Sequence, residues 1–160
     1  MLHLGCHGWV ASSGPGQSHL MLAEGEKLPL DAILRQARDR PVSAAGGLVS
    51  LAACRSDLTA AEYDEALTLS TAFLAAGAVS VVGSRWEIPD SATSLLMFMF
   101  HLRVARYHDS PRDALRLAQL WLLNPDREPP DEMPGELAQR ACRLRLRDIT
   151  AWAGFVHQGQ

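Results

Sequence analysis

Two short apolar segments of the chain each lead into a side chain that is reactive in enzymes. The first leads into His7 and the second into Cys54, and 54 − 7 = 47 positions separate the two. A cysteine attacks as its thiolate, and an imidazole can accept or return the proton because it titrates near neutrality. If the two segments are neighbouring strands about 4.8 Å apart, the sequence predicts a Cys/His dyad.

The pattern of apolar residues predicts the sheet that would hold these side chains. Continuous apolar runs alternate with helical patterns over Leu30–Arg40 and Ala66–Ala76, and the predicted strands are Leu2–Cys6, Gly47–Ala53 and Ala78–Gly83. Such runs are typical of parallel strands that are covered on both faces. We therefore expect an α/β fold, a three-layer sandwich with a mostly parallel central sheet flanked by helices.

Further elements complete this expectation. A loop or hairpin is predicted after His7, with a strand at His19–Ala23, and the all-round apolar run at 95–100 predicts a buried helix. The remaining predictions are a helix from about Pro89 to Tyr107, a capping box at Ser110–Asp113 that opens another helix, a helix near Glu136–Arg147 and a strand at Trp152–His157.

Composition limits the class of protein. With 160 residues, 48% of them hydrophobic and 21% charged, the chain predicts one domain over 1–160 and no second domain. A net charge of −3 gives no reason to expect nucleic acid or an anionic membrane as a partner. Three cysteines do not predict a disulfide framework and favour a reducing, cytoplasmic location.

Two local features modify this description. Met1 leads directly into an apolar strand, so we expect either an N-terminally truncated domain or an assigned start that is too late. Four arginines crowd near the C-terminus, where a solvated helix face or a docking surface is the favoured interpretation: Arg140, Arg143, Arg145 and Arg147.

Three loops are expected at one edge of the sheet, because ligands of parallel α/β sheets bind at the carboxyl ends of the strands. They begin at His7, Cys54 and Ser84. Gly8 lacks a Cβ, so a substrate carbonyl could approach its N–H, and that group together with the N–H of Cys54 could form an oxyanion hole. A plain turn is the alternative for Gly8, while Arg55 could favour the thiolate of its neighbour.

We expect structural rather than catalytic roles for most of the other residues that could take part in chemistry. Cys6 points to the opposite face of its strand from His7, so a zinc site is not expected, and we expect no other cofactor. Cys142 is predicted to be a buried thiol. Trp86 either lines a substrate cleft formed by the three loops or has a packing role.

Several ordered motifs resemble the CHAT domain across nearly the whole chain. They are Leu4-Gly5-Cys6-His7-Gly8, residues 16–22, Leu51-Ala52-Ala53-Cys54, residues 73–90, residues 113–119 and residues 151–156. The resemblance implies a caspase-like and separase-like fold, the caspase–hemoglobinase fold, here without its first βα units. It places His7 and Cys54 on the catalytic positions and Gly8 on the oxyanion position of a cysteine endopeptidase.

The resemblance also suggests how substrates and partners are bound. In separase-like relatives an acidic residue after the third strand receives a basic residue before the cut, and Asp90 or Glu87 is the candidate here. Asp90 could instead be a helix N-cap. Arg55 and Arg85 replace the family's usual residues in the presumed cleft, so they are candidates for substrate binding together with Trp86.

The function implied is cleavage of a protein or peptide substrate in bacterial-type signalling or defence, regulated by a partner or by upstream modules such as helical repeats. One alternative is a catalytically silent caspase-like adaptor. Another is a non-proteolytic cysteine hydrolase or acyltransferase that uses the same dyad.

Overall fold

A computed structural model describes residues 1–9, 18–38, 40–41, 46–52, 68–144 and 149–160. Cys54 and Arg55 therefore lie outside the described residues, as do Arg145 and Arg147. The chain groups into two compact units, Met1–Glu87 together with Phe155–Gln160, and Ile88–Gly154.

Strands occur in the first unit and most helices in the second. Over the described residues the strands are β1 (Leu2–Leu4), β2 (His7–Trp9), β3 (His19–Met21), β4 (Lys27–Pro29), β5 (Leu48–Leu51), β6 (Ser80–Ser84) and β7 (Phe155–Gly159). The α-helices are α1 (Leu30–Arg38), α2 (Leu69–Ala75), α3 (Asp90–Arg106), α4 (Pro111–Leu123), α5 (Gly135–Arg143) and α6 (Ile149–Trp152).

The central sheet of the first unit is mostly parallel. Its strand order is β1-β5-β6-β7, in which β1, β5 and β6 run parallel and β7 runs antiparallel to β6. Leu51, Val81 and Val82 are fully buried, as expected for apolar strands that are covered on both faces. Helices flank this sheet, and α2 packs against β6 and β7. The predicted α/β class is therefore confirmed.

A second, three-stranded sheet replaces part of the predicted first strand. That strand was expected to continue to Cys6, but β1 ends at Leu4 and His7 opens β2, which pairs antiparallel with β3. The second sheet takes over the hydrogen bonding of the backbone here and buries Leu20 completely in the core.

The other two strands of this sheet, β3 in its centre and β4 at its edge, also differ from the prediction. β3 stops at Met21 rather than Ala23, because a short 3-10 helix follows at Ala23–Gly25. β4 was not predicted, since its three residues include a proline, which is uncommon inside strands. The hairpin prediction after His7 is otherwise confirmed by the pairing of β2 with β3.

The end of α2 shows why the chain turns into β6 where it does. Gly77 has φ +91° and follows the C-cap Ala76. Its N–H donates to the carbonyl of Leu74 at 2.9 Å, and the N–H of Ala78 donates to that of Phe73 at 2.9 Å, which together form a Schellman motif. The prediction that a helix ends at Gly77 is confirmed.

The start of α2 is set by a cap that the apolar pattern did not indicate. Thr68 precedes the helix, its hydroxyl accepts from the N–H of Thr71, and the Thr71 hydroxyl accepts from the N–H of Thr68. This reciprocal capping box begins the helix at Leu69, three residues later than predicted, while residues 66 and 67 lie outside the described part.

The second unit is a group of packed helices in which α3 contacts α4, α5 and α6. Leu95, Leu96 and Phe100 are almost fully buried, so the predicted burial of α3 is confirmed. Ser110 caps α4 by accepting from the N–H of Asp113 at 3.2 Å, also as predicted. Among the described residues, no helix has both the length and the apolar character needed to cross a bilayer.

Three predictions near the C-terminus were wrong in detail. The helix expected near Glu136–Arg147 ends at Arg143, because Leu144 is already extended. The expected strand at 152–157 is shifted to 155–159, because the preceding residues form α6. Cys142 was expected to be buried but is exposed, because it lies on the outer side of α5, whose buried residue is Ala141.

Replacing Gly77 with Ala should destabilise the first unit. A Cβ at this position would lie 2.7 Å from a guanidinium nitrogen of Arg40, and a residue with a side chain is strained at positive φ. We expect Gly77→Ala to lower the free energy of unfolding by about 1–2 kcal/mol in urea titrations. Gly47→Ala is the matched control, because its added Cβ meets no atom within 4 Å; equal losses in both variants would contradict the prediction.

Candidate active site

The register between β1 and β5 aligns the two segments that lead to the predicted dyad. Leu2 lies opposite Val49 and Leu4 lies opposite Leu51, a constant offset of 47 residues. The same 47 positions separate His7 from Cys54. The N–H of Ala52 donates to the carbonyl of Leu4 at 2.9 Å, as expected for the last parallel pair, Leu4 with Leu51.

His7 and Gly8 are held by β2 of the three-stranded sheet. His7 lies opposite Met21 and is exposed, whereas Gly8 lies opposite the fully buried Leu20. Because successive side chains of a strand point to opposite faces, burial of Leu20 in the core turns the His7 imidazole outward. The predicted base is therefore accessible to a substrate, and Gly8 is adjacent to it in the same strand.

A partly buried polar pair, not predicted from the sequence, links β1 and β5. The Nδ1 atom of His3 lies 3.2 Å from the Oγ atom of Ser50, which is fully buried. Burial lowers the pKa of His3, so the neutral ring is favoured. The pair lies four residues before His7 and Cys54, respectively. The sequence could have indicated this pair, because His3 and Ser50 are separated by the same 47 positions as His7 and Cys54.

The loop that follows β6 lies at the same edge of the sheet as the ends of β1 and β5, because these three strands are parallel neighbours. Ser84 ends β6 and is buried. Arg85 and Glu87 are exposed and Trp86 is partly buried. The predicted position of this loop is thus confirmed, while the roles of its residues stay predictions. Arg55 lies outside the described residues.

Asp90 belongs to the second unit, where it is the first residue of α3 and is exposed. The N-cap alternative was wrong, because Pro89 occupies the cap position and no side chain caps the helix there. The positive end of the helix dipole stabilises a negative charge in this first turn. The carboxylate of Asp90 thus remains a candidate for binding a positively charged group.

Cys6 differs from the predicted nucleophile although it adjoins His7. Its side chain packs against the buried cluster that includes Leu20 and Leu51. Burial raises the pKa of the Cys6 thiol, which reduces its thiolate fraction at neutral pH. The part of the chain that the structure describes contains no group of three or more His, Cys, Asp or Glu side chains that could hold a metal ion.

A cavity of about 570 Å³ lies on the core side of β1 rather than at His7. Leu4, Ile33 and Phe73 line it, with Arg40 at its wall. None of the described residues predicted for the site lines this cavity. It is therefore separate from the described residues of the candidate site.

These features define an α/β protein in which the strands that precede His7 and Cys54 in the chain, β1 and β5, pair in parallel. A family model described as the CHAT domain matches residues 1–160. The chain therefore belongs to the CHAT domain family, a caspase-like peptidase family. A search of curated proteins found no match.

The two described cysteines should differ in reactivity. We expect iodoacetamide at neutral pH to alkylate Cys6 several times more slowly than Cys142, because burial reduces both the access to Cys6 and its thiolate fraction, whereas Cys142 is exposed. Peptide mapping by mass spectrometry over time measures both rates in one sample. Faster alkylation of Cys6 would contradict its assignment as a core thiol.

Proposed function

We propose that this chain is a cysteine endopeptidase domain that cleaves a protein substrate through His7 and Cys54. The observation that carries the proposal is the shared offset: β1 and β5 pair with 47 residues between partners, and the same number separates the two side chains. In the sequence, His7 comes three positions after the end of β1 and Cys54 three positions after the end of β5. Membership of a caspase-like peptidase family supports the same reaction.

The proposed reaction is acyl transfer. The Cys54 sulfur attacks the scissile carbonyl carbon, while the N–H groups of Gly8 and Cys54 stabilise the negative charge that develops on the oxygen. His7 carries the thiol proton and gives it to the leaving amine, whose bond to the carbonyl carbon breaks. Water, deprotonated by His7, then hydrolyses the thioester and returns the free thiol. This sequence of steps requires no metal or cofactor.

The exposure of His7 supports a polypeptide substrate. An exposed imidazole on a strand at the edge of the site can meet an extended chain, whereas a small molecule is held in an enclosed pocket. We further propose a cytoplasmic domain of bacterial-type signalling or defence, with an upstream module or a partner such as helical repeats controlling its activity.

A peptidyl electrophile tests the dyad. We expect it to label the wild-type chain at Cys54, to leave Cys54→Ala unlabelled and to react with His7→Ala at least about a hundredfold more slowly, since a general base contributes that much or more. Intact-protein mass spectrometry measures the labelling, and Cys142→Ser, which removes an exposed thiol elsewhere, is the matched control.

Each other outcome of that experiment contradicts the proposal in a different way. Labelling that persists in Cys54→Ala would exclude Cys54 as the nucleophile. A wild-type chain that folds but is not labelled would favour the silent adaptor. Labelling of Cys54 together with turnover of acyl esters, but of no peptide, would favour a non-proteolytic hydrolase or acyltransferase.

We propose Asp90, or secondly Glu87, as the residue that receives a basic side chain before the cut. Both carboxylates are exposed, and Asp90 lies in the first turn of α3. Substrates with Arg or Lys before the cut should lose roughly tenfold or more in kcat/KM in Asp90→Asn, because an ionic hydrogen bond is lost, while substrates with apolar residues there should change little.

The matched control for this substitution is Asp131→Asn, which removes one exposed carboxylate elsewhere in the second unit. A panel of peptides with Arg, Lys, Asp or Leu before the cut measures the preference. If the preference for basic residues survives in Asp90→Asn but not in Glu87→Gln, Glu87 takes the role; if both variants retain it, neither residue binds this side chain.

A further inference from the structure

The outer face of the three-stranded sheet extends from His7 as a continuous surface. His7 and Trp9 are two residues apart in β2, so their side chains share a face. Their partners in β3 are Met21 and His19, respectively. The next strand places Lys27 beside Met21 and Pro29 beside His19 on this face.

Trp9 is unusually open for a tryptophan. Its side chain is 62% exposed, although this residue type is mostly buried because of its large apolar area. Its ring stacks on that of His19, with the ring centroids 6.4 Å apart and the planes at 26°. The opposite face of the same sheet is different, since Leu20 there is completely buried in the core. Trp9 is therefore not needed to fill the core.

The two stacked rings form an aromatic platform, defined here as Trp9 and His19. The two rings are already stacked before any ligand binds, so binding need not bring them together. Large apolar and aromatic side chains gain most from such a surface. A cationic side chain would also stack on an indole, but Lys27 on this face repels it and β2, β3 and β4 contain no carboxylate to attract it.

We propose that the platform binds an aromatic or large aliphatic side chain of the polypeptide substrate, as a second specificity site beside His7. The position of this side chain relative to the cut rests on the proposed peptidase function. An extended peptide advances by 3.2–3.4 Å per residue, as a strand does, so a residue two places from His7 faces a substrate residue about two places from the scissile bond. The site differs from the acidic one assigned to Asp90 or Glu87.

Equilibrium binding tests the platform without requiring catalysis. The full chain carrying Cys54→Ala is titrated into labelled peptides, and fluorescence polarisation measures binding. The peptides differ only in the second residue on either side of a central bond, which is Phe, Leu, Ala or Lys. We expect the Phe and Leu peptides to bind roughly three- to tenfold more tightly than the Ala peptide, and the Lys peptide no more tightly than the Ala peptide.

Substitutions of Trp9 and His19 test whether a binding preference for Phe or Leu peptides depends on these two rings. Trp9→Ala should remove the advantage of Phe over Ala, Trp9→Phe should retain most of it, and His19→Ala should reduce it. Leu120→Ala is the matched control, because it removes an exposed apolar side chain, 49% accessible, from the second unit. Equal melting temperatures of Trp9→Ala and the parent verify that the variant is folded.

The outcomes separate the platform from the peptidase. A preference for Phe that disappears in Trp9→Ala supports the platform, even if the peptidyl electrophile fails to label Cys54 and the peptidase function falls. Binding that does not distinguish Phe from Ala, an advantage that survives Trp9→Ala, or the absence of binding by any peptide overturns the platform, whatever the labelling of Cys54 shows.

Discussion

The parallel pairing of β1 with β5 is the constraint on which the proposed chemistry depends. Segments that follow two strands can bring their side chains together only if the strands are neighbours and their register is correct, since a slip of one residue reverses every side chain. Here apolar residues fix the register through burial of Val49 and Leu51, and the His3–Ser50 contact adds a polar restraint. A buried hydroxyl needs a hydrogen-bonding partner, so this contact also disfavours a shifted pairing.

The second sheet places His7 at the start of a strand, whereas the sequence predicted it just after the end of one. The histidine begins β2, whose partner β3 carries the fully buried Leu20, and the pairing of β2 with β3 places the imidazole on the opposite, open face. The same alternation that exposes His7 exposes Trp9. The His7 imidazole and the proposed aromatic platform are therefore parts of one surface, and the strand pairing that orients His7 also orients Trp9.

Much of the architecture could be predicted because it depends on local patterns. Continuous apolar runs identified the parallel strands, and Gly77 and Ser110 marked helix boundaries through backbone conformation and capping. The errors occurred where tertiary contacts outweigh local preference: β4 contains a proline yet pairs with β3, Cys142 lies on the exposed side of its helix, and Pro89 rather than Asp90 precedes α3 at the cap. Short elements are difficult to predict because so few residues define their pattern.

The sequence by itself determined the α/β class, the order of the main elements, the resemblance to the CHAT domain and the choice of His7 and Cys54, because residue types and their spacing carry that information. Tertiary structure decided the register between β1 and β5, the separate sheet that carries His7, the burial that distinguishes Cys6, and the exposed stack of Trp9 on His19. The physical reason is that pairing and burial join residues far apart in the chain. Whether a side chain faces the core or the solvent depends on what the fold packs against it.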